Sequence, residues 1–188
     1  MLMFLVLLLA VQLLACKMKI NTLLNKTTTI PRDNAVYKNK TKFAVTLLQI
    51  VDTSVVYEEY NTGKNILMRS DPCIECRAYG VYKFYPNGCF NAFYLNRDKI
   101  LSVTEFDPLY AGKRGVYYNE NDMIRFDLFA EIDESQHIGK ISGTLIFRGD
   151  TMYVKRNDRK GIDATEYPPR VFIKRKLPPE YFIYKANW

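Results

Sequence analysis

Gly139-Lys140-Ile141-Ser142-Gly143-Thr144-Leu145-Ile146-Phe147-Arg148-Gly149-Asp150-Thr151-Met152-Tyr153-Val154-Lys155-Arg156 reads as two β-strands folded around a tight turn. Ile141, Leu145 and Phe147 alternate with Ser142 and Thr144, and Met152 and Val154 alternate with Thr151, Tyr153 and Lys155. A period of two puts one apolar row on one face of a sheet. Gly149 accepts positive φ at the turn, and Asp150 can bond its own backbone there. Arg148-Gly149-Asp150 also spells an integrin-binding tripeptide, but a hairpin turn selects Gly-Asp on steric grounds alone.

The same plan recurs upstream. Tyr79 to Leu95 folds around Pro86-Asn87-Gly88, and Asn-Gly is a strong hairpin signal because both residues tolerate positive φ. Gly112 to Ala130 folds around Asn119-Glu120-Asn121-Asp122, with Ile124, Phe126 and Leu128 on one face and Arg125 and Asp127 on the other. Arg170 to Arg175 predicts a last strand with Val171 and Ile173 inward. Shorter strands are expected at Val55 to Tyr60, Ile66 to Arg69 and Ile100 to Phe106, and the spacing of Phe43, Leu47 and Ile50 or Val51 allows one short helix. The fold class is mainly β: an antiparallel meander of about eight to ten strands. Such a meander hides its edges and apolar face by curling into a closed or partly open barrel. Phe84, Phe126, Leu145 and Val154 would then line its interior, and an eight-stranded barrel is just wide enough either to be filled by side chains or to hold one small ligand.

Hydrophobic residues make up 48% of the 188 and charged residues 25%, which are the proportions of a globular chain. Residues 1–15 carry no charge and are almost wholly Leu, Val, Met, Ala and Phe. This is shorter than the roughly 20 residues of a membrane span and fits the apolar part of an export signal. Leu13-Leu14-Ala15-Cys16 closes it and resembles the lipobox of bacterial lipoproteins, in which the thiol of the Cys takes a diacylglycerol. The division expected is a lipoprotein signal peptide over 1–15, a flexible tether over 16–42 and a single β-barrel-like domain over 43–188. The partner implied by Cys16 is a lipid bilayer, and the location is the cell envelope, facing the periplasm or the cell surface. The net charge of +7 lies wholly outside the leader, and Lys17 and Lys19 directly follow Cys16, placed to meet anionic head groups. The remaining basic residues are spread along an exported chain, so nucleic acid is not the expected partner.

Cys73 and Cys76 form a C-x-x-C, and Cys89 follows. In an oxidising compartment this predicts a structural disulfide from Cys76, or alternatively Cys73, to Cys89, or else a Cys73–Cys76 pair with Cys89 buried; a redox pair at Cys73 and Cys76 is the other reading. A zinc site would want more ligands than these and the single His137, so no metal or cofactor is expected. Glu131, Asp133 and Glu134 cluster, and read as a solvated loop rather than an acid–base pair. No nucleophile elbow and no phosphate-cradling glycine loop occurs, and the chain is not expected to be an enzyme.

The meander preceded by a short helix resembles the lipocalin-like, or calycin, architecture over roughly Asp52 to Arg175. Gly80-Val81-Tyr82 stands nearest to the lipocalin first-strand Gly-x-Trp, and Arg175 to the late Arg that packs on that ring. The chain is also similar to small Bacteroidota lipoproteins of unknown function. Asp52-Thr53, Phe84-Tyr85-Pro86-Asn87-Gly88 and Lys174-Arg175-Lys176-Leu177-Pro178-Pro179-Glu180-Tyr181 carry that resemblance. It implies a membrane-anchored envelope protein and no particular activity. Two roles follow. One is a non-enzymatic carrier of a small apolar ligand. The other is a structural or interaction lipoprotein with a filled barrel and a partner protein in the envelope.

Overall fold

The computed structural model describes residues 18–71, 77–132, 137–157 and 168–188. Their strands are β1 (Ile20–Thr22), β2 (Thr29–Pro31), β3 (Val56–Asn61), β4 (Ile66–Leu67), β5 (Ala78–Phe84), β6 (Cys89–Asn96), β7 (Lys113–Glu120), β8 (Met123–Glu131), β9 (Ile138–Arg148), β10 (Thr151–Arg156) and β11 (Arg170–Arg175). From β5 to β11 each strand pairs antiparallel with the next, β3 pairs with β5, and β11 returns to pair with β3. Eight strands therefore close into a barrel, with β4 a short flap on β3 and β1–β2 a separate two-stranded sheet. This is a mainly β domain of the calycin-like kind expected.

Turn chemistry sets the registers. Asn121 and Asp122 both hold positive φ, 53° and 58°, the two-residue turn whose twist matches the flanking strands. Gly88 (φ 83°) and Gly149 (φ 56°) occupy the corresponding left-handed positions of the other two hairpins. Inside, Tyr57, Tyr82, Phe84, Phe90, Tyr117, Phe126, Leu145, Met152, Val154 and Phe172 form one buried cluster. Rings lie flat over backbone where a side chain is missing. A Cβ on Gly143 would fall 2.5 Å from the Phe126 ring and 2.2 Å from the Lys155 carbonyl, and one on Gly115 2.3 Å from the Phe90 ring. At this level the barrel is packed with side chains.

One end of the barrel is capped from the N-terminal side. A 3-10 turn over Val45–Gln49 puts Leu47 into the core, Val51 and Val55 follow it, and the Phe43 ring sits 5.3 Å from that of Tyr117. The short helix expected here is thus a five-residue 3-10 turn. The flexible tether expected up to residue 42 is corrected over its described part. Thr29–Pro31 pairs with Ile20–Thr22, a longer 3-10 stretch runs over Asn34–Lys42, and Leu23, Ile30 and Tyr37 are buried. These isolated apolar residues have barrel surface to cover, and that outweighs the polar composition around them.

Two further expectations are corrected. Val103–Phe106 is a 3-10 turn, not a strand, because Ser102 and Glu105 form a reciprocal capping box. On β11 it is Phe172, fully buried, that points inward, while Val171 and Ile173 face out. Phe172 stands opposite Met152 on one side and Glu59 on the other.

Outside the barrel, Glu58 is fully buried, 3.0 Å from Arg175 Nη1 and 3.0 Å from Arg69 Nε. Arg175 therefore serves Glu58 on the outer face and does not pack on Tyr82, whose ring lies inside against Phe172 at 4.9 Å. Burial pushes the Glu58 carboxyl above its ordinary range, against the pull of Arg69 and Arg175. A raised native value means the native state holds a proton that the unfolded chain has already released. The contribution of Glu58 is then fully present below the ordinary glutamate range and is lost as pH rises through the raised native value. Glu58→Gln is expected to remove that decline, which urea denaturation of both proteins across this window would read. Parallel pH profiles would refute it.

Candidate functional site

The functional candidate lies outside the barrel, where a second layer covers β5, β6 and β7. Its first part is the 3-10 turn at Val103–Phe106, which lays Phe106 5.1 Å from the Phe93 ring. Its second part is the tail 177–188, begun by Leu177-Pro178-Pro179, where proline ends β11 and starts the 3-10 turn Pro179–Phe182. Hydrogen bonds pin the tail. The Tyr181 hydroxyl donates to the Leu101 carbonyl (3.0 Å), Asn87 Nδ2 donates to the Ala186 carbonyl (2.7 Å), and Trp188 Nε1 donates to the Gly115 carbonyl (2.9 Å). Lys40 Nζ donates to the Trp188 carbonyl at 2.9 Å and to Asn187 Oδ1 at 3.2 Å.

Under this layer runs a row of polar residues. Lys83 on β5 stands opposite Asn91 on β6, and Asn91 opposite Arg114 on β7. Alternation along the strands turns them away from the core, yet Lys83 is 2% exposed and Asn91 fully buried. The Lys83 ammonium donates to the Tyr181 carbonyl at 2.9 Å and lies 5.2, 5.9 and 5.3 Å from the ring centres of Tyr85, Phe106 and Phe182. It has no carboxylate within ion-pair distance among the described residues, and burial pulls its pKa down to about 8 against the more distant pull of Asp107. Burial also lowers Arg114, whose guanidinium lies 5.0 Å over the Trp188 ring and donates to the Pro108 carbonyl.

Several buried polar atoms here have no partner among the described residues: both amide atoms of Asn91, Arg114 Nε, and the hydroxyls of Tyr85 and Tyr37. Burial holds both phenols above the ordinary range, so they stay protonated and able to donate. Buried polar groups without partners are costly, and such a concentration marks a place where water or a ligand completes the hydrogen bonding. Beside it opens a pocket of about 400 Å³ lined by Lys83, Tyr85, Pro86, Phe182, Tyr184 and Lys185, among others. Volume and apolar walls are those of a small-molecule site.

No family model, no curated protein and no solved structure matches this chain.

The sequence-predicted residues are placed as follows. Phe84, Phe126, Leu145 and Val154 do meet inside the barrel, where they pack with the other rings; Phe84 and Phe126 both contact Phe90, at 5.5 and 6.1 Å between ring centres. Of the four, Phe84 also lines the pocket of about 400 Å³; the other pockets described, of about 470, 350 and 240 Å³, are lined by none of them. Cys89 is a free, buried thiol and not half of a disulfide. It lies at the turn end of the β5–β6 hairpin, whereas Ala78, just after the Cys73/Cys76 segment, pairs with Asn96 at the far end. Its Sγ faces the Trp188 carbonyl at 3.8 Å, and burial raises its pKa. Cys16, Cys73, Cys76, Asp133 and Glu134 lie outside the described residues. Glu131 pairs with Lys113 at 2.8 Å, and His137 is exposed. Among the described residues there is no group of three metal-ligating side chains, and no helix is long and apolar enough to cross a membrane.

Lys83, Asn91 and Arg114 were missed by sequence reasoning. A polar residue between apolar ones on a strand signals the solvent face, and only the tail and the 103–106 turn make that face an interior. The available signal was the aromatic density of Tyr181, Phe182, Tyr184 and Trp188 beyond the last strand, too much apolar surface for a free end.

Proposed function

We propose that this protein is an exported lipoprotein, anchored through Cys16, that binds a small apolar ligand in the pocket between its tail and the β5–β6 hairpin. The observation that carries the reading is the pocket of about 400 Å³ walled by Phe182, Tyr184 and Pro86, with one buried amine at its edge. The packed rings around Phe126 speak for a site on the barrel and not within it. The leader 1–15, the lipobox-like Leu13-Leu14-Ala15-Cys16 and the resemblance to small Bacteroidota lipoproteins support the envelope location. Binding needs no catalytic group, and the role is non-enzymatic. The same packed interior also suits the second reading, an envelope interaction protein.

Native mass spectrometry of the full chain extracted from membranes tests both halves. An acyl mass on Cys16 that disappears in Cys16→Ser is expected, together with a non-covalent mass that disappears in Phe182→Asp. An unacylated chain retaining residues 1–15 would sink the anchor. A non-covalent mass equally present in Phe182→Asp would remove the ligand from this pocket. A co-purifying envelope protein with no small-molecule mass would establish the second reading instead.

A further inference from the structure

The pocket is not uniformly apolar, and the buried amine in its wall bears on the chemistry of the ligand. Lys83 places a cation against the pocket with a single carbonyl acceptor, that of Tyr181, and no acidic partner among the described residues. An ammonium carries three donors, so two remain for a ligand. Tyr85 lines the same pocket with its ring, while its hydroxyl is sealed from solvent and has no partner among the described residues. Behind them Arg114 adds a second buried cation with an unpartnered Nε, and Asn91 an unpartnered amide. Lys185 lines the outer rim. A cation therefore stands among the rings that wall the pocket.

We infer that the ligand of this pocket is an apolar carboxylate, its acid group held by Lys83 and its body lying against Phe182, Tyr184 and Pro86. This rests on the small-ligand reading above and adds the chemistry of the head group. A carboxylate accepts from the ammonium, and supplies the counter-charge that a buried ammonium otherwise lacks. The three rings around Lys83 stabilise a cation through their faces but cannot accept its protons as an oxygen does.

The pH dependence has a definite sign. The charged groups facing Lys83 are Asp107 from the loop after the 103–106 turn and, across the pocket, Lys185 from the tail; the Tyr85 phenol on its own strand stays neutral. Only the protonated amine attracts an anion, and it loses its proton in the empty site at about 8. Carboxylate binding should be flat below that value and weaken above it by up to about tenfold per pH unit.

The test compares phenylbutyrate with phenylbutanol, equal in apolar body and differing in the acid group. Calorimetric titration of the full chain in lipid nanodiscs, with empty nanodiscs as blank, reads both. Phenylbutyrate is expected to bind about tenfold to a hundredfold more tightly, as a charge-assisted hydrogen bond would give. Lys83→Met should bring phenylbutyrate down to the level of phenylbutanol and leave phenylbutanol within about twofold. Equal affinities in the wild type, or a preference that survives Lys83→Met, would overturn the carboxylate and leave the apolar site standing. Binding of neither probe would overturn the small-ligand reading as well. Should Lys83→Met not melt cooperatively, the wild-type pH series decides: a preference unchanged between pH 7 and a value well above about 8 overturns the assignment.

Discussion

Phe126→Ala is expected to lower the free energy of unfolding by about 3–5 kcal/mol, the cost of deleting a large ring from a packed core. Phe126 is fully buried, packs on Phe90, and lies against the bare backbone of Gly143, so nothing is free to collapse into the space it leaves. The size of the loss matters because it separates two barrels. In a hollow one, Phe126 would line a cavity already present, its removal would cost far less, and an internal ligand would bind differently. In the packed barrel described above, stability falls steeply while affinity for a ligand under the tail stays unchanged. Urea denaturation followed by circular dichroism gives the first quantity and calorimetric titration the second. A loss below about 1 kcal/mol accompanied by altered ligand binding would move the site into the lumen.

Trp188→Ala is expected to be comparably severe, about 3–5 kcal/mol, and to have a signature that Phe126→Ala lacks. Trp188 is 6% exposed, and its indole donates to Gly115 while its ring meets Tyr85 and Tyr37 and lies beneath Arg114. Truncation leaves the Gly115 carbonyl without its donor and opens the region where the Cys89 thiol faces the Trp188 backbone. Cys89 should then be alkylated by a maleimide in native buffer, at least about tenfold faster than in the wild type, because local detachment of the tail needs no global unfolding. Peptide mapping distinguishes Cys89 from the other thiols. Equal protection of Cys89 in both proteins would mean that the tail is held without its tryptophan.

The three hairpins were legible because two independent signals coincided in each: alternation of apolar residues, and a turn residue that tolerates positive φ, at Gly88, at Asn121 and Asp122, and at Gly149. Two readings that rested on one signal failed. Val171-Phe172-Ile173 is apolar throughout, so period-two phase cannot be read from it; the largest side chain takes the interior, opposite Met152. Ile100 to Phe106 has a strand-like composition, but Ser102 and Glu105 carry the capping box that makes a turn, and that signal lay in the sequence unread. The site was legible in part. The apolar residues proposed for the lumen are buried together, as a period-two pattern requires, yet the pattern cannot distinguish packing from a cavity, since both draw on the same side chains. Lys83 lies beyond any local rule, because its environment is made by residues some hundred positions later, Tyr181 and Phe182.

The closing pair, β11 on β3, joins Glu59 to Phe172, whereas the other barrel pairs from β5 to β10 are hairpins or near neighbours in sequence. Closing a long loop costs more entropy than closing a short one, and contacts between distant segments slow folding. The hairpins can form first, each from local information, and they leave an open curved sheet whose two unpaired margins are β3 and β11. Those margins attract any free strand, including the same strands of another chain. The seam is thus a kinetic liability as well as a structural closure. Its charges, Glu58 on one margin and Arg175 on the other, bear on the liability: before pairing they discourage each margin from meeting a copy of itself, and on closure they meet at 3.0 Å.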